Sequence, residues 1–259
     1  MKAVFGLAAA VTLTFLVLPV LAIFLQVSPA TLLHELGDPV ARDALVVSVR
    51  TTLIAQALIV VFGTPTAYLL ATRRFRGRNV VLTFVELPLV LPPAVAGIGL
   101  LAAFGRMGLL PAGVAFTQTA VVLAVTFVAA PFYVRTAIAS FEGVDPQLVA
   151  AARTLGAGPW RVFGRVALPL AAGGLGAGLA LSFARGLGEF GATIMFAGSL
   201  QRVTETLPLA IYAEFARSFD VALAIGALLV AFSFILLLVV KWLRFGWTSP
   251  FRFVPSTSA

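Results

Sequence analysis

Residues 142–161 read EGVDPQLVAAARTLGAGPWR, a polar stretch in a chain that is otherwise mostly apolar. Asp145 followed by Pro146 predicts a helix start, because the aspartate side chain can accept a bond from an early backbone N–H and proline at the first helical position loses none. Gly156 predicts the helix end, since glycine readily adopts the left-handed conformation that closes a helix. The stretch therefore predicts a short, exposed helix.

This predicted helix carries one apolar stripe with a narrow middle. Leu148, Ala151, Ala152 and Leu155 follow one another at spacings that place them on a single helix face. About ten helical residues at ~1.5 Å each reach roughly 15 Å, half of what a bilayer core requires. We therefore expect the helix to lie outside the lipid, with a face shaped to enter a groove.

The composition of the whole chain is that of a polytopic membrane protein. Of 259 residues, 61% are hydrophobic and 11% are charged, and the mean hydropathy is +1.07. The absence of cysteine excludes disulfides and thiol chemistry, and a single histidine leaves no cluster for a metal. No G-x-x-x-x-G-K-[ST] loop occurs, so we expect no ATP hydrolysis, no catalytic residue and no cofactor in this chain.

Six apolar segments predict an all-α integral membrane protein with six transmembrane helices. A kink is predicted in the second segment at Gly63-Thr64-Pro65, and three prolines interrupt the third within residues 86–93. The segments cover approximately residues 3–25, 43–72, 80–104, 117–141, 169–196 and 221–243.

The basic residues predict the orientation of these segments. Four arginines lie within residues 73–78, and the positive-inside rule makes such a loop cytoplasmic. Both termini are then cytoplasmic. Because the basic residues cluster in short loops between apolar segments, they argue against a nucleic-acid partner. Twelve basic residues fall inside (Lys2, Arg73, Arg74, Arg76, Arg78, Arg135, Arg153, Arg161, Arg165, Lys241, Arg244, Arg252) and five outside (Arg42, Arg50, Arg106, Arg202, Arg217).

Ionisable residues and prolines inside the segments predict a translocation pathway. Arg185 and Glu189 are four residues apart, so a structural ion pair on one helix face is one interpretation. The other is that Arg185 offers its guanidinium to a tetrahedral oxyanion while Glu189 prevents tight binding. Pro92 and Pro93 leave carbonyls without helical partners, and broken helices commonly line a pathway. The predicted pathway residues are Glu86, Pro92, Pro93, Arg185 and Glu189.

The polar stretch also carries a resemblance. Ala150-Ala151-Ala152, then Gly156, then Val166-Ala167-Leu168-Pro169 resembles the coupling loop of permease subunits of ATP-binding-cassette importers, although the glutamate of that family falls on Ala150. The resemblance implies docking on an ATPase. We therefore predict that the helix couples the chain to that ATPase. The predicted coupling residues are Asp145, Leu148, Ala150, Ala151, Ala152, Leu155, Gly156 and Trp160.

Three further stretches, SFARGLGEFGATIMFAG (182–198), TLPLAIY (206–212) and LPLVLPPAV (87–95), resemble the molybdate permease family. Sulfate and tungstate permeases are near relatives, and sulfate is the main alternative. A channel is an alternative of another class, but a channel has no need of the exposed helix. A membrane enzyme would need a nucleophile, a base or a metal cluster, which Glu86, Arg185 and Glu189 do not provide.

The resemblance implies a type I importer permease fold, a homodimer of this subunit in the cell (inner) membrane, two cytoplasmic ATPase subunits and an extracytoplasmic oxyanion-binding protein. We expect residues 1–42 to hold the first transmembrane helix and an outer loop. Residues 43–245 form the predicted core permease domain with the coupling loop at 142–165, and residues 246–259 form a predicted cytoplasmic tail.

Overall fold

A computed structural model describes residues 1–35, 37–110 and 113–247, and every regular element in these ranges is helical. The all-α prediction is confirmed. Residues 248–259 of the predicted tail, with Arg252, lie outside the described residues. The helices are α1 (Lys2–Gln26), α2 (Pro29–Glu35), α3 (Pro39–Thr72), α4 (Arg78–Val90), α5 (Pro93–Phe104), α6 (Gln118–Glu142), α7 (Pro146–Thr154), α8 (Pro159–Val162), α9 (Leu168–Leu187), α10 (Gly191–Ala197), α11 (Leu207–Phe215) and α12 (Phe219–Trp247), with a π turn (Phe163–Ala167) before α9.

Four stretches of the described chain are long and apolar enough to cross a membrane: most of α1, α3, α6, and the run from α8 through α9. The pair α4 and α5 passes the same test together but is bent by 116° at its break, which makes it a fifth candidate. In α12 the apolar stretch found is Phe219–Ile235, shorter than a full span. The count of six spans therefore stays a prediction.

The central helix of the fold is α6. It packs along α3 and α9 and also contacts α4, α5 and α10. Its first half contributes Val121 and Val125 to a core with Phe196 of α10, and its second half contributes Tyr133 and Phe141 to a core with α3 and α9. By contrast, no residue in the apolar stretch of α1 is buried. The α3–α6–α9 unit thus forms the packed centre of the described chain.

Glycines allow α9 to approach α6 closely. A Cβ at Gly178 would lie 3.0 Å from Thr136 Cβ, one at Gly186 would lie 2.8 Å from Val125 Cγ1, and Gly174 faces the Ser140 side chain without room for any Cβ. Small residues at such spacing let two backbones meet in a membrane protein. Gly174, Gly178 and Gly186 therefore have a packing role at the contact of α9 with α6.

The start of α3 is capped, and the helix is continuous. Val40 N–H donates to Asp38 Oδ1 at 2.6 Å, so an Asp-Pro pair opens α3. The helix continues through Pro65, and the kink predicted at Gly63-Thr64-Pro65 stays a prediction. Thr64 shares a 2.6 Å hydrogen bond with Tyr133 of α6, which holds this part of the helix against its neighbour.

The fifth predicted span, 169–196, has the wrong limits at both ends. The helical run begins at Pro159. In the π turn the Leu168 N–H donates to the Phe163 carbonyl, so the regular α-helical hydrogen-bond pattern is already shifted before the chain reaches Pro169. The run ends at Leu187 with Gly188 as its cap. The chain to Phe196 forms a separate helix, α10, after a break.

Candidate functional site

The exposed helix α7 has the cap and the end that its sequence predicts. Gln147 N–H donates to Asp145 Oδ1 at 2.8 Å, and Gly156 has φ +79°, in the left-handed region. Ala157 N–H donates to the Ala152 carbonyl at 3.0 Å and closes the turn. Both predictions about local structure are confirmed.

Two different faces of α7 are visible. Leu148 is 49% exposed and Leu155 is 87% exposed, with Ala151 and Ala152 between them, and Trp160 in the following turn is 86% exposed. Ala150 belongs to the other face, where it lines a cavity together with Val149 and Arg153. Of the residues predicted to act in coupling, Leu148, Ala151, Leu155 and Trp160 therefore form an exposed apolar stripe from which Ala150 is separated.

The start of α4 is anchored to the ends of α3 and α6. Arg78 Nη2 lies 2.8 Å from Glu142 Oε1, and Arg78 Nε donates to the Leu70 carbonyl at 2.7 Å. Behind this pair, the rings of Tyr68, Phe141 and Phe163 pack with centroid distances of 4.8–6.3 Å. The helix α7 itself contacts the π turn and α8, which lead into α9.

A second arrangement joins two helix breaks. One break lies between α4 and α5 at Leu91 and Pro92, and the other lies between α9 and α10 at residues 188–190. They meet because Gly191 leaves room for Pro93: a Cβ at Gly191 would lie 2.7 Å from Pro93 Cβ. Further along, a Cβ at Gly97 would lie 2.7 Å from the Ala192 carbonyl oxygen.

Glu189 lies inside this junction and its side chain is 1% exposed. Its carboxylate accepts a 2.7 Å bond from Ala192 N–H at the start of α10, and its other oxygen lies 2.7 Å from Arg185 Nη1. The predicted ion pair is confirmed, but not the shared helix face, because Glu189 follows the end of α9. Arg185 is 29% exposed and reaches the junction from α9.

The five predicted pathway residues do not form one cluster. Pro93 lies at the junction with Glu189 and Arg185, and Pro92 caps α5 beside it. Glu86 instead pairs with Arg135 of α6 at 3.3 Å, and both side chains are exposed. Among the described residues, no three His, Asp or Glu side chains are close enough to hold a metal ion.

The loop between α10 and α11 was missed by the sequence reasoning. Arg202 Nε donates to Asp43 Oδ2 at 2.9 Å, and Leu207 N–H donates to Ser48 Oγ at 2.7 Å, so the loop is fixed to the start of α3. Burial raises the pKa of the Glu205 carboxyl, and its hydrogen bond from Ser199 partly opposes this. The signal was the polar stretch between two apolar segments, which contains Arg202 and Glu205.

The chain was compared with known proteins. Residues 59–248 match the family described as "Binding-protein-dependent transport system inner membrane component". The chain is 44% identical over 237 residues to the molybdenum transport system permease protein ModB of Mycobacterium tuberculosis, covering 88% of this chain and 89% of that protein. It is 38% identical to ModB of Escherichia coli, covering 80% and 95%. It is 35% identical to the sulfate transport system permease protein CysW of Synechocystis, covering 83% and 81%.

Two solved structures have a similar fold. One is a bacterial ABC transporter involved in the import of the acidic polysaccharide alginate, with a TM-score of 0.72, 17% identity and 96% of each chain covered. The other is the inward-facing MetNI methionine ABC transporter, with a TM-score of 0.67, 19% identity, and 81% of this chain and 97% of that chain covered. The predicted importer permease fold is confirmed, and the chain belongs to the family of binding-protein-dependent transport system inner membrane components.

Proposed function

We propose that this chain is the transmembrane permease subunit of an ATP-driven importer of molybdate. The observation that carries the proposal is the 44% identity, over 88% of the chain, to a molybdenum transport permease. The sulfate permease relative is less similar, at 35%. Sulfate and tungstate are therefore the alternative substrates, and uptake measurements discriminate among them.

Coupling to ATP hydrolysis is assigned to α7. The exposed apolar residues Leu148 and Leu155, with Trp160 in the turn that follows, support docking on a partner, because described parts of this chain leave them uncovered. In this proposal two ATPase subunits receive the stripe in a groove and hydrolyse the ATP. Asp145 and Gly156 set the angle at which the stripe meets that groove.

A homodimer is proposed on the basis of an apolar groove beside the junction. The groove is lined by Phe190, Pro208, Ile211, Tyr212 and Phe215, of which Tyr212 and Phe215 are largely exposed. In the dimer, a second copy of the chain covers this groove. The pathway then runs between the two copies, past the paired helix breaks.

Within that pathway, Arg185 is the proposed contact for the anion. One guanidinium nitrogen is held by Glu189, which leaves other N–H groups for directional bonds to an oxyanion. Pro92 and Pro93 lie at the break that the anion passes, and Glu86, which pairs with Arg135, is a proposed pathway residue in α4. An extracytoplasmic oxyanion-binding protein delivers the anion to the end of the pathway opposite α7. In this arrangement residues 43–245 form the core permease domain, and both termini are cytoplasmic.

Uptake tests the substrate. Proteoliposomes containing this chain, its ATPase subunits and its binding protein are expected to accumulate labelled molybdate only when ATP is enclosed on the side of the ATPase subunits. Sulfate at the same concentration should reduce molybdate uptake only weakly. ATP-dependent accumulation of sulfate without molybdate would reject the substrate assignment, and accumulation without ATP would reject the coupled importer.

Cysteine labelling tests the orientation, because the chain has no native cysteine. Arg76→Cys and Met107→Cys are suitable, since both residues are exposed. The neighbouring glycines are less suitable for a cysteine, because Gly77 has φ +91° and a Cβ at Gly108 would lie 2.7 Å from the Ala102 carbonyl oxygen. An impermeant maleimide should label Arg76→Cys only from the cytoplasm and Met107→Cys only from outside. Labelling of both from one side contradicts the proposed topology.

The double variant Arg185→Met with Glu189→Gln tests the anion contact. Methionine at position 185 removes the guanidinium group. Glutamine at position 189 keeps an oxygen for the Ala192 N–H and carries no charge, so no buried carboxylate is left unpaired. We expect normal assembly and ATPase activity but at least tenfold slower uptake. Uptake at the parent rate would restrict the pair to a structural role.

A further inference from the structure

A cavity of about 600 Å³ lies behind α7 and not at the junction of the helix breaks. Its walls come mainly from four parts of the chain: the end of α3, the linker into α4, the end of α6, and the face of α7 opposite the exposed stripe. The residues that define this basic cavity are Tyr68, Ala71, Thr72, Arg74, Arg78, Phe141, Glu142, Val144, Pro146, Val149, Ala150, Arg153 and Ala167.

The charges around the basic cavity are unbalanced. Three arginines and one carboxylate line it, and the carboxylate of Glu142 is already paired with Arg78. Within the described part of the chain, no carboxylate forms an ion pair with Arg74 or Arg153. Ala150, which lies on the same wall as Arg153, supplies no charge. Two guanidinium groups on different walls are therefore available to one anion.

The position of the basic cavity indicates where that anion comes from. It lies at the end of α3, which is long and apolar enough to span a membrane, and beside α4, none of whose residues is buried. A basic pocket at the end of a membrane span is the arrangement that recognises anionic lipid headgroups. The aromatic rings of Tyr68 and Phe141 provide a fixed, partly apolar wall next to the charges.

We propose that the basic cavity binds the phosphate of an anionic phospholipid headgroup, with Arg74 and Arg153 contacting it from different walls. The acyl chains then remain in the bilayer beside α4. Because Arg153 belongs to α7 and Arg74 to the linker after α3, the bound headgroup links the exposed helix to the membrane-spanning unit. This inference goes beyond the transport function and does not depend on which anion is carried.

Binding is measured with the full-length chain in a non-ionic detergent, titrated with phosphatidylglycerol or phosphatidylcholine and followed by native mass spectrometry. Arg74→Gln with Arg153→Gln should weaken phosphatidylglycerol binding by roughly thirtyfold, as the loss of two basic contacts predicts. The matched control is Arg73→Gln with Arg76→Gln, which removes two exposed charges from the same linker but outside the cavity. The control should change binding less than threefold.

Ala150→Glu is a second variant that removes no existing contact and adds a carboxylate to the cavity wall. It should also weaken phosphatidylglycerol binding by tenfold or more, and it decides the question if the arginine variant does not fold. Equal losses in both arginine pairs would indicate diffuse attraction and overturn the site, as would no loss in either. Inorganic phosphate that binds the chain as tightly as the lipid would overturn the lipid assignment in favour of a free oxyanion.

Discussion

Gly156→Val is expected to abolish ATP-coupled uptake while the permease still inserts and assembles. At φ +79° a side-chain-bearing residue costs about 1–2 kcal/mol, and a β-branched one costs more. No atom lies within 4 Å of a Cβ built at Gly156, so the penalty comes from the backbone and not from a clash. The turn relaxes, and α7 then meets its partner at the wrong angle.

The chain offers a close control for this variant two residues later. Gly158 is equally open, but its φ of −69° and ψ of 167° suit any residue, so Gly158→Val should transport at close to the parent rate. Gly156→Asn should retain part of the coupling, because asparagine tolerates the left-handed conformation. ATPase stimulation and uptake are measured together. Equal damage from both valine substitutions would attribute the effect to bulk and reject the turn.

Glu189→Ala is expected to destabilise the folded chain by about 3–5 kcal/mol, the cost of breaking a buried ion pair by removing one partner. Two contacts are lost at once: Arg185 keeps a partly buried positive charge without its counterion, and the Ala192 N–H at the start of α10 loses its acceptor. We expect a lower unfolding temperature in detergent and little assembled complex, before any question of transport arises.

A partly exposed pair provides the comparison for this effect. Asp43 also accepts from one arginine, Arg202, at 2.9 Å, but the arginine side chain is largely exposed. Asp43→Ala should therefore cost only about 0–1 kcal/mol. Glu189→Gln, which keeps an acceptor for Ala192, should fall between the two. If Glu189→Ala unfolds at the same temperature as Asp43→Ala, the junction does not depend on its buried carboxylate.

Local chemistry explains what could be predicted from the sequence. The cap of α7 needs only Asp145 and Pro146 next to each other, and its end needs only a residue that tolerates positive φ, so a few neighbouring residues determine both. The same holds for Asp38 and Pro39 in α3. The spacing of Gly174 and Gly178 in α9 is likewise a property of one helix, and both face α6.

Tertiary contacts explain what could not be predicted. The spacing of Arg185 and Glu189 indicated one continuous helix, but α9 ends at Leu187 because Gly188 is its cap and Pro93 of a distant segment packs on Gly191. Ala150 was grouped with the coupling residues, yet it lines a cavity whose other walls come from the ends of α3 and α6. Neither arrangement leaves a pattern within a single stretch of residues.

The close fit of α5 and α10 limits how the chain can change shape. A Cβ at Gly97 would lie 2.7 Å from both the Ala192 carbonyl oxygen and Met195 Cβ, so these two short helices have no room to slide independently. The chain enters α5 through the non-helical link at Leu91–Pro92 and enters α10 through residues 188–190. Any movement at these links would therefore carry both short helices together, on the microsecond-to-millisecond timescale of hinge motions. Opening and closing would then be one concerted step, without a state in which one half-helix has moved and the other has not.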